Sequence, residues 1–423
     1  MSGGILFILL IVLMILGLPI CTSLGMSSVI GLWVDGSLPF TVVPQRMMVG
    51  VDSFPLLAII FFMVAGELML QGGISKRLVR VASCFLSGVR GSLAIISIVT
   101  CAFFGALSGS ALATTAAVGS VMYPEMLKSG DYDKDFSLSI QAVGGTLGTM
   151  IPPSVPLVIY GMLANTSIGD LFIGVAVPGI VMCILYCIFG YVIIKKRGMA
   201  INQKSQKENI TKALLDGVWA LLTPVIILGG IYSGVFSPTE SAAIACLYAL
   251  VIGVFVYKEL NPKTCYKALY NAMEGSVGIM FLISTASLFG WVLTMQGFPQ
   301  QVAAFLASII DSKWTFLVLL NIVYLIAGMF VDNATSQLLM IPLLYPVAVQ
   351  LDVNLVHLGV VSCINLSLGT ITPPFGACLF VASSLDKSVK LESMYREVMP
   401  FVIAGIIGII ITTYLPILST WML

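Results

Sequence analysis

Long apolar runs, interrupted by short polar breaks, follow one another along almost the whole chain. A helix that crosses a membrane needs about 20 apolar residues, within a range of roughly 17–25, and several runs without any charged residue reach this length. These runs include 1–34, 91–124, 136–169, 171–194, 217–239, 241–257, 275–310, 314–331 and 398–423. Some of them can hold two passes or a hairpin. The pattern therefore predicts an all-α polytopic membrane protein with about eleven or twelve transmembrane helices.

Composition indicates lipid as the natural solvent. Hydrophobic residues make up 59% and charged residues 9% of the 423 positions, with a mean hydropathy of +1.07, whereas soluble domains carry roughly 25% charged residues. The net charge of +1 implies no polyanionic partner. The HExxH, GxSxG and P-loop motifs are absent from the sequence. The chain is therefore not expected to be an enzyme, and any transport through it would have to draw its energy from an ion gradient or another subunit.

Basic residues indicate which side of the membrane each loop occupies. The longest polar stretch, 195–216, holds six lysines and arginines against two acids, and the positive-inside rule places it in the cytoplasm. The first 34 residues lack a basic start and exceed the length of a signal peptide. We therefore expect them to remain in the protein, with Met1 on the opposite side of the membrane.

The two halves of the chain repeat each other. Four matches occur in order at nearly constant spacing: GTMIPP at 148–153 with GTITPP at 369–374, Tyr123-Pro124 with Tyr345-Pro346, Pro178 with Pro400, and Pro19 with Pro238. We divide the chain into a first repeat (1–195), a cytoplasmic linker (196–216) and a second repeat (217–423). A transport domain is expected from the repeated polar regions and a scaffold from the remaining helices. The sequence alone leaves open whether the halves are parallel or inverted.

The repeated Gly-Thr-x-x-Pro-Pro segments interrupt apolar runs. Proline has no N–H and clashes with the carbonyl four residues before it, so the prolines free carbonyls such as those of Gly148 and Gly369. Non-helical backbone survives at membrane depth only inside protein or beside a cavity, which predicts the tip of a re-entrant hairpin at each segment, Gly148–Pro156 in the first half. Freed carbonyls and threonine hydroxyls are the hard oxygens that Na⁺ prefers. A proline kink in an ordinary span is the alternative.

A second polar region precedes each Pro-Pro segment. The uncharged stretch 105–120 offers Ser108 and Ser110, and the equivalent stretch of the second half offers Gly328, Asp332 and Asn333. We expect broken helices that face the tips, with close packing of small residues as the alternative. An acidic group at membrane depth is a functional hypothesis by default, whereas the alternative for Asp332 is a helix end at the membrane interface.

Six motifs in order resemble a known family. They are GLPI at 17–20, DSFPLLAI at 52–59, AGELM at 65–69, GTLGTMIPPS at 145–154, GIYSGVFSPTESAA at 230–243 and GTITPPFG at 369–376. These motifs look like those of the large membrane (M) subunit of tripartite ATP-independent periplasmic (TRAP) transporters, and the resemblance covers nearly the whole chain.

The resemblance implies a function and an assembly. It implies a Na⁺-coupled importer of a carboxylate-bearing solute in the bacterial inner membrane, with Na⁺ as the coupling ion. A periplasmic solute-binding protein (the P subunit) would deliver the solute, and a separate small membrane subunit (the Q subunit) would pair with this chain. The implied fold has two inverted repeats, each with a re-entrant helical hairpin, that work as an elevator. We expect sialic acid as the solute, with C4-dicarboxylates next.

Each half is expected to hold one Na⁺ at its tip. The first ligand set is Ser108 or Ser110 with carbonyls near Gly148, Ile151 and Pro153. The second set is the carbonyls near Gly328, Gly369 and Pro374, the hydroxyl of Thr372, and Asp332. Solute contacts are assigned to Asp52, Ser53, Thr149, Asn333 and Thr370, with a helix cap as the alternative for Asp52. Because the first half has Ser110 where the second has Asp332, the two ion sites are expected to differ in their ligands.

Three other classes of function remain open. A stand-alone Na⁺-coupled dicarboxylate or citrate symporter of related architecture would need no binding protein, and a neighbouring gene for a periplasmic solute receptor would distinguish the two. An intramembrane enzyme is disfavoured because the nucleophile and metal motifs are missing. An inert anchor subunit is disfavoured because an anchor has no need of broken polar segments.

Overall fold

Helices are the regular elements in the part of the chain that this computed structural model describes, residues 3–36, 38–86, 91–199, 210–310 and 312–423. In chain order they are α1 (Gly3–Ile15), α2 (Ile20–Asp35), α3 (Val42–Val51), α4 (Leu56–Gln71), α5 (Ile74–Leu86), α6 (Ser92–Ser108), α7 (Ala111–Lys128), α8 (Lys134–Met150), α9 (Val155–Leu163), α10 (Ile168–Arg197), α11 (Ile210–Tyr232), α12 (Pro238–Val251), α13 (Pro262–Met295), α14 (Phe298–Ala307), α15 (Lys313–Phe330), α16 (Asn333–Gln350), α17 (Leu355–Gly369), α18 (Ala377–Ser384), α19 (Leu391–Tyr414) and α20 (Ile417–Thr420). A π-helical turn, Ile252–Val256, extends α12.

Side-chain caps fix where many of these helices begin. A capping side chain accepts a hydrogen bond from a first-turn N–H that has no partner inside the helix. Ser237 caps α12 and forms a capping box with Glu240. Further caps are Ser110 (α7), Asp133 (α8), Ser167 (α10), Asn261 (α13), Ser312 (α15), Asp332 (α16) and Asn354 (α17). The short polar breaks in the apolar pattern therefore include the residues that start helices.

Fewer helices cross a membrane by length alone than the sequence predicted. Within the described ranges, seven helices are long and apolar enough, and α3 with α4, joined at a 59° bend, makes an eighth. The apolar helices α1, α2, α6 and α17 have only 13, 16, 17 and 15 residues. Their shortness explains the difference from the expected eleven or twelve.

The most buried span lies at the centre of the molecule. Helices α8 and α9 form one span, Lys134–Leu163, whose apolar window is 94% buried, against 28–50% for the other long spans. Helices α6, α7, α17, α18 and α19 pack around it. The break between α8 and α9 is therefore shielded from lipid.

Helices α10 and α19 occupy the same place in the two halves and run antiparallel. Met182 of α10 packs on Gly408 of α19. Fifteen residues further along α10, Arg197 pairs with Glu397, earlier in α19, at 2.6 Å. The numbering therefore rises in one helix as it falls in the other.

The central span shows the same relation to its counterpart. Thr149 Oγ1 of α8 hydrogen-bonds Ser367 Oγ of α17 at 2.7 Å, and Tyr160 of α9 donates to the carbonyl of Leu355 at 2.6 Å. Helices α8–α9 and α17 are thus antiparallel as well. Two equivalent pairs that both run in opposite directions show that the halves are inverted, which the sequence alone left open.

Basic side chains collect at one end of the molecule. This basic end holds the C-terminus of α10 and the N-termini of α8, α11, α13 and α19. Among the described residues, every lysine and arginine lies at or within a few turns of the basic end, except Arg46 of α3 and Lys313 of α15. The described residues of the expected linker, 196–199 and 210–216, lie at this basic end.

Asp386 joins the two halves at the basic end. Its carboxylate accepts a hydrogen bond from Tyr123 of α7 at 2.6 Å and pairs with Lys134 of α8 at 3.0 Å. The backbone N–H of Ser388 also donates to it, at 2.9 Å. Hydrogen bonds from Ser388 and Tyr123 hold the pKa of Asp386 below its usual range, so this junction keeps its charge at neutral pH.

Candidate functional site

Helices α6 and α7 form a re-entrant hairpin whose tip is Ser108–Ser110. Four contacts with α8 show the directions of its arms. They are Ser97 with Gln141 and Gly105 with Gly148 for α6, and Ser110 with Gly148 and Gly119 with Gln141 for α7. The first arm thus runs parallel to α8 and the second arm runs back.

The break in the central span is not a hairpin tip. Residues 151–154 interrupt a span that continues from Lys134 to Leu163, so the expectation of a tip at Gly148–Pro156 is wrong for the first half. The chain reverses in the neighbouring polar region instead, where Gly109 adopts φ +63°, a left-handed conformation that glycine takes without strain. Each repeat still has one hairpin, as the sequence predicted. The hairpin tip, however, lies in the polar region that was expected to be a broken helix, and the Pro-Pro segment is the break in a helix.

The first tip packs directly on the break. The carbonyl of Gly109 accepts the N–H of Val155 at 3.1 Å, which joins the tip to the start of α9. A Cβ added at Gly109 would lie 3.0 Å from the carbonyl oxygen of Pro153. The prolines of the break leave the backbone free for this contact, because residues 151–154 make no continuous helical ladder.

All members of the expected first ligand set lie at this junction. Ser108, Gly148 and Pro153 are buried, whereas Ser110 and Ile151 are half-buried. A Cβ added at Gly148 would lie 2.5 Å from the carbonyl oxygen of Ser110. The structure therefore brings backbone carbonyls and two hydroxyls together in a largely dry place.

The second half repeats the arrangement. Asn365 of α17 donates to Asn321 of α15 at 2.9 Å, and Gly369 lies against Gly328, so α15 runs parallel to α17 as α6 does to α8. Residues 331–332 connect α15 to α16. They stand where the first half has its tip, and we call them the second tip.

Backbone contacts join the second tip to its break. The N–H of Gly376 donates to the carbonyl of Met329 at 3.1 Å, as Val155 does to Gly109 in the first half. The approach of the helices is closer still at Gly369, where an added Cβ would lie 2.5 Å from Cα of Gly328. The glycines of the expected second ligand set are thus points of backbone-to-backbone contact.

Asp332 and Ser110 play the same structural role. Asp332 caps α16 by accepting the Thr335 N–H at 3.3 Å, and it also accepts the Thr335 hydroxyl. Ser110 caps α7 by accepting the Ala113 N–H at 3.4 Å. The two residues therefore cap equivalent helices and differ in charge, and of the two tips only the second carries a carboxylate.

Some carbonyls of the second break already have partners. The carbonyls of Gly369 and Thr370 accept the N–H groups of Thr372 at 2.9 Å and Cys378 at 3.0 Å. The hydroxyl of Thr372 donates to Leu368 O at 2.9 Å. A carbonyl oxygen has two lone pairs, so each of these groups can still face a cation.

Pro374 shows the clearest difference between the two breaks. It is exposed, whereas Pro153 is buried, and its carbonyl accepts the hydroxyl of Tyr395. A cavity of about 850 Å³ lies beside it, lined in part by Phe375 and by Lys390 at the start of α19. The second break is thus open toward the basic end. The Pro152–Pro153 and Pro373–Pro374 peptide bonds are both cis.

A central polar cluster forms where α8, α16 and α17 meet, and it consists of Thr149, Asn333, Cys363 and Ser367. Asn333 Nδ2 donates to Ser367 Oγ at 2.9 Å and to Cys363 O at 3.1 Å. Asn333 Oδ1 has no hydrogen-bond partner among the described residues. Thr149 and Asn333, two of the expected solute contacts, therefore share one buried network. Thr370 lies one turn beyond Ser367 and donates to its carbonyl at 2.7 Å.

Asp52 and Ser53 lie elsewhere. They form the bend between α3 and α4, where both N–H groups return to α3. Their neighbour Phe54 accepts a hydrogen bond from Thr239 of α12 at 3.5 Å. Among the described residues, no hydrogen bond links this bend to the central polar cluster.

Sequence reasoning missed Ser367 and Cys363. Ser367 is the repeat counterpart of Thr146. Ser367 lies three positions before Thr370, and Thr146 lies three positions before Thr149. Extending the repeat match toward the N-terminus would have found it. Cys363 carries no such signal, because a cysteine in an apolar run usually packs as a small hydrophobe.

Comparison with known proteins finds the same family along most of the chain. Residues 7–418 match the model described as "Tripartite ATP-independent periplasmic transporter, DctM component". The C4-dicarboxylate TRAP transporter large permease protein DctM of Vibrio cholerae is 35% identical, over all of this chain and 97% of that protein. The sialic acid large permease SiaM of the same species is 35% identical, over 96% of this chain and 94% of that protein. An isethionate TRAP permease, DctMQ of Oleidesulfovibrio alaskensis, is 38% identical over 95% of this chain, which spans 63% of that relative's length.

Solved transporter structures share the fold. YdaH of Alcanivorax borkumensis has a TM-score of 0.62 at 16% identity, over 90% of this chain and 87% of that one. MtrF of Neisseria gonorrhoeae has a TM-score of 0.59 at 13% identity, over 88% and 83%. The family match and the apolar spans show a multi-pass protein of the bacterial inner membrane, and the relatives are transport permeases rather than enzymes. The chain therefore belongs to the DctM family, the large membrane subunits of TRAP transporters.

Proposed function

We propose that this chain imports an organic acid anion together with Na⁺, as the large permease subunit of a binding-protein-dependent transporter. The observation that carries the proposal is the paired architecture, in which each inverted half brings a hairpin tip against a broken helix. Broken backbone buried inside a membrane protein offers carbonyls and hydroxyls to ions and solutes. The tripartite description of the family supports a small Q subunit and a periplasmic solute-binding protein as partners.

The proposed solute carries a carboxylate. Relatives named for C4-dicarboxylate and sialic acid support this group, whereas a third relative is named for isethionate, an acid whose charged group is a sulfonate. The central polar cluster presents hydroxyl and amide groups, and no lysine or arginine belongs to it. Neutral donors match a monovalent acid with many hydroxyls better than a dianion. Sialic acid is therefore our first candidate and a C4-dicarboxylate our second.

The proposed coupling ion is Na⁺, with one ion at each tip. Support comes from the collection of carbonyls around Gly148 and Gly369 beside Ser108, Ser110 and Asp332. Two Na⁺ ions would more than offset one carboxylate, so the membrane potential would also drive import. Binding of ion and solute would favour each other, and by linkage the effect would be equal in both directions.

Uptake by the assembled transporter tests this function. The chain is reconstituted in liposomes with its Q subunit and solute-binding protein, and labelled sialic acid uptake is measured at varied external Na⁺. We expect uptake to rise sigmoidally with Na⁺ and to vanish without it. Full uptake driven by a proton gradient in Na⁺-free buffer would overturn the proposal, and C4-dicarboxylate in place of sialic acid tests the second solute.

Asp332→Asn separates the charge of this residue from its capping role. Asparagine caps helices about as well as aspartate, so α16 should keep its start while the tip loses its carboxylate. We expect the Na⁺ concentration for half-maximal uptake to rise about tenfold or more, which corresponds to about 1.4 kcal/mol. Asp133→Asn, the same change at the cap of α8 on the basic end, is the matched control. An unchanged Na⁺ dependence would remove Asp332 from the ion site.

The basic end is proposed to face the cytoplasm, because lysine and arginine are retained there. In intact cells, a membrane-impermeant maleimide should label a cysteine at Thr41, near the opposite end, and miss one at Ser388. Both positions are exposed, and the unsubstituted chain measures the background of native cysteines. Labelling at Ser388 from outside would reverse this orientation. Ser205, a natural choice in the linker, lies outside the described residues.

Transport is proposed to work as an elevator. The two hairpins and the two broken helices would move as one body against a scaffold that includes α4, α12 and α13. Support comes from the way α6, α7, α17 and α18 pack around α8, while α4 packs mainly on α12 and α13. Alternate access would follow from the vertical displacement of both tips.

A further inference from the structure

A small chamber lies between the scaffold and the first hairpin. Its volume is about 110 Å³, well above the roughly 10–15 Å³ that one water molecule needs. Its polar lining residues are Glu67 of α4 and Asn271 of α13, together with Ser108 and Ser110 of the first tip. The rest of the lining is apolar or small, with Met63, Leu70 and Phe104 among it. The chamber is therefore lined both by an acidic residue of the scaffold and by the two serines of the tip.

Glu67 interacts through space with the positive charge of Lys267, one turn before Asn271 in α13, but does not contact it. It is half-buried, and its hydrogen bond is a long one, from Asn271 Nδ2 at 3.3 Å. Within the described residues it forms no ion pair with a lysine or arginine. It lies four residues before the end of α4, about 6 Å along that helix at 1.5 Å per residue. A carboxylate in a membrane-spanning helix is costly unless a partner compensates it, and such residues often mark ion pathways.

The scaffold touches the first tip beside this carboxylate. Gly66 packs against Ser108, because an added Cβ would lie 3.4 Å from Cα and 3.5 Å from Cβ of Ser108. Glu67 is the next residue of α4. The chamber therefore adjoins the first tip on the side that leads to the basic end.

We infer that Glu67 and Asn271, with Ser108 and Ser110, form a transient Na⁺ site through which the ion of the first tip leaves toward the basic end. The inference rests on the Na⁺ coupling proposed above. An ion that leaves the tip meets the carboxylate of Glu67 and the amide oxygen of Asn271 while the serine hydroxyls still face it. The carboxylate lowers the barrier to release, since a cation in a narrow apolar passage would otherwise lose its ligands before it reached water. The chamber has room for water to replace ligands stepwise.

The decisive variant is Glu67→Gln, which keeps the size and the hydrogen bond to Asn271 but removes the charge. Net solute uptake into Na⁺-free liposomes requires Na⁺ release inside, whereas solute exchange with Na⁺ saturating on both sides does not. We expect two rates to fall severalfold: net solute uptake, and the efflux of radiolabelled Na⁺ from preloaded liposomes. The rate of solute exchange and the dependence of uptake on external Na⁺ should stay at the wild-type level. Glu274→Gln, at an exposed position one turn further along α13, should leave all four quantities unchanged.

Each other outcome overturns the inference. Equal loss of net uptake and exchange in Glu67→Gln would indicate a structural defect, and no loss of either would show that the ion does not use this path. A shift in the external Na⁺ dependence would place Glu67 in the primary ion site instead. If the wild-type protein itself transports without Na⁺, the proposed function fails, and that result is separate because it needs no variant.

Discussion

Replacing Gly369 with alanine is expected to abolish transport. The new Cβ would lie 2.5 Å from both the Cα and the carbonyl carbon of Gly328. These atoms are backbone, so no side chain can turn away to make room, and α15 must separate from α17. Overpacking of this kind costs roughly 1–3 kcal/mol or more, and it would open the junction between the second tip and its break.

The measurement combines uptake in liposomes with the thermal stability of the purified protein. Gly278→Ala is the control, because a Cβ there meets no atom within 4 Å, and it should behave as wild type. Gly148→Ala should repeat the loss in the first half, where the Cβ would lie 2.5 Å from Ser110 O. Wild-type uptake by Gly369→Ala would show that the close backbone contact has no role in transport.

A disulfide between the scaffold and the first tip is expected to stop transport completely and reversibly. A Cβ at Gly66 would lie 3.5 Å from Cβ of Ser108, at the lower end of the range of about 3.5–4.5 Å that disulfides span. If the hairpin moves relative to α4, Gly66→Cys with Ser108→Cys should lose uptake on oxidation and regain its starting level on reduction.

The single variants provide the reference for this experiment. Ser108→Cys alone shows the cost of changing a proposed ion ligand, and neither single variant should respond to the oxidant. Formation of the bond is followed by the loss of maleimide labelling. Continued uptake by the fully cross-linked protein would contradict an elevator, because the tip would then work without leaving α4.

The duplication could be predicted from the sequence because it rests on residues that change the backbone. Pro152, Pro153, Pro373 and Pro374 cannot be replaced by other residues without altering local geometry, so they mark equivalent places in both halves. The inverted relation could not be predicted in this way. It depends on contacts such as Arg197 with Glu397 that only the folded chain brings together.

The site of chain reversal was misassigned for a physical reason. Prolines at 152 and 153 end hydrogen bonding, but α9 then continues in the direction of α8. Gly109 reverses the chain with a single left-handed residue and only a short gap between helices. A helix break and a chain reversal therefore produce similar interruptions of an apolar run in the sequence. The packing of α6 and α7 on α8 shows which of the two interruptions is the reversal.

The unequal exposure of the two breaks has a consequence for the whole cycle. Pro374 faces an opening at the basic end while Pro153 is sealed, although the two residues are inverted copies of each other. If each half took the conformation of the other, Pro153 would become open at the opposite end and Pro374 would close. In the proposed elevator, each half would therefore show the conformation that the other half takes in the opposite state.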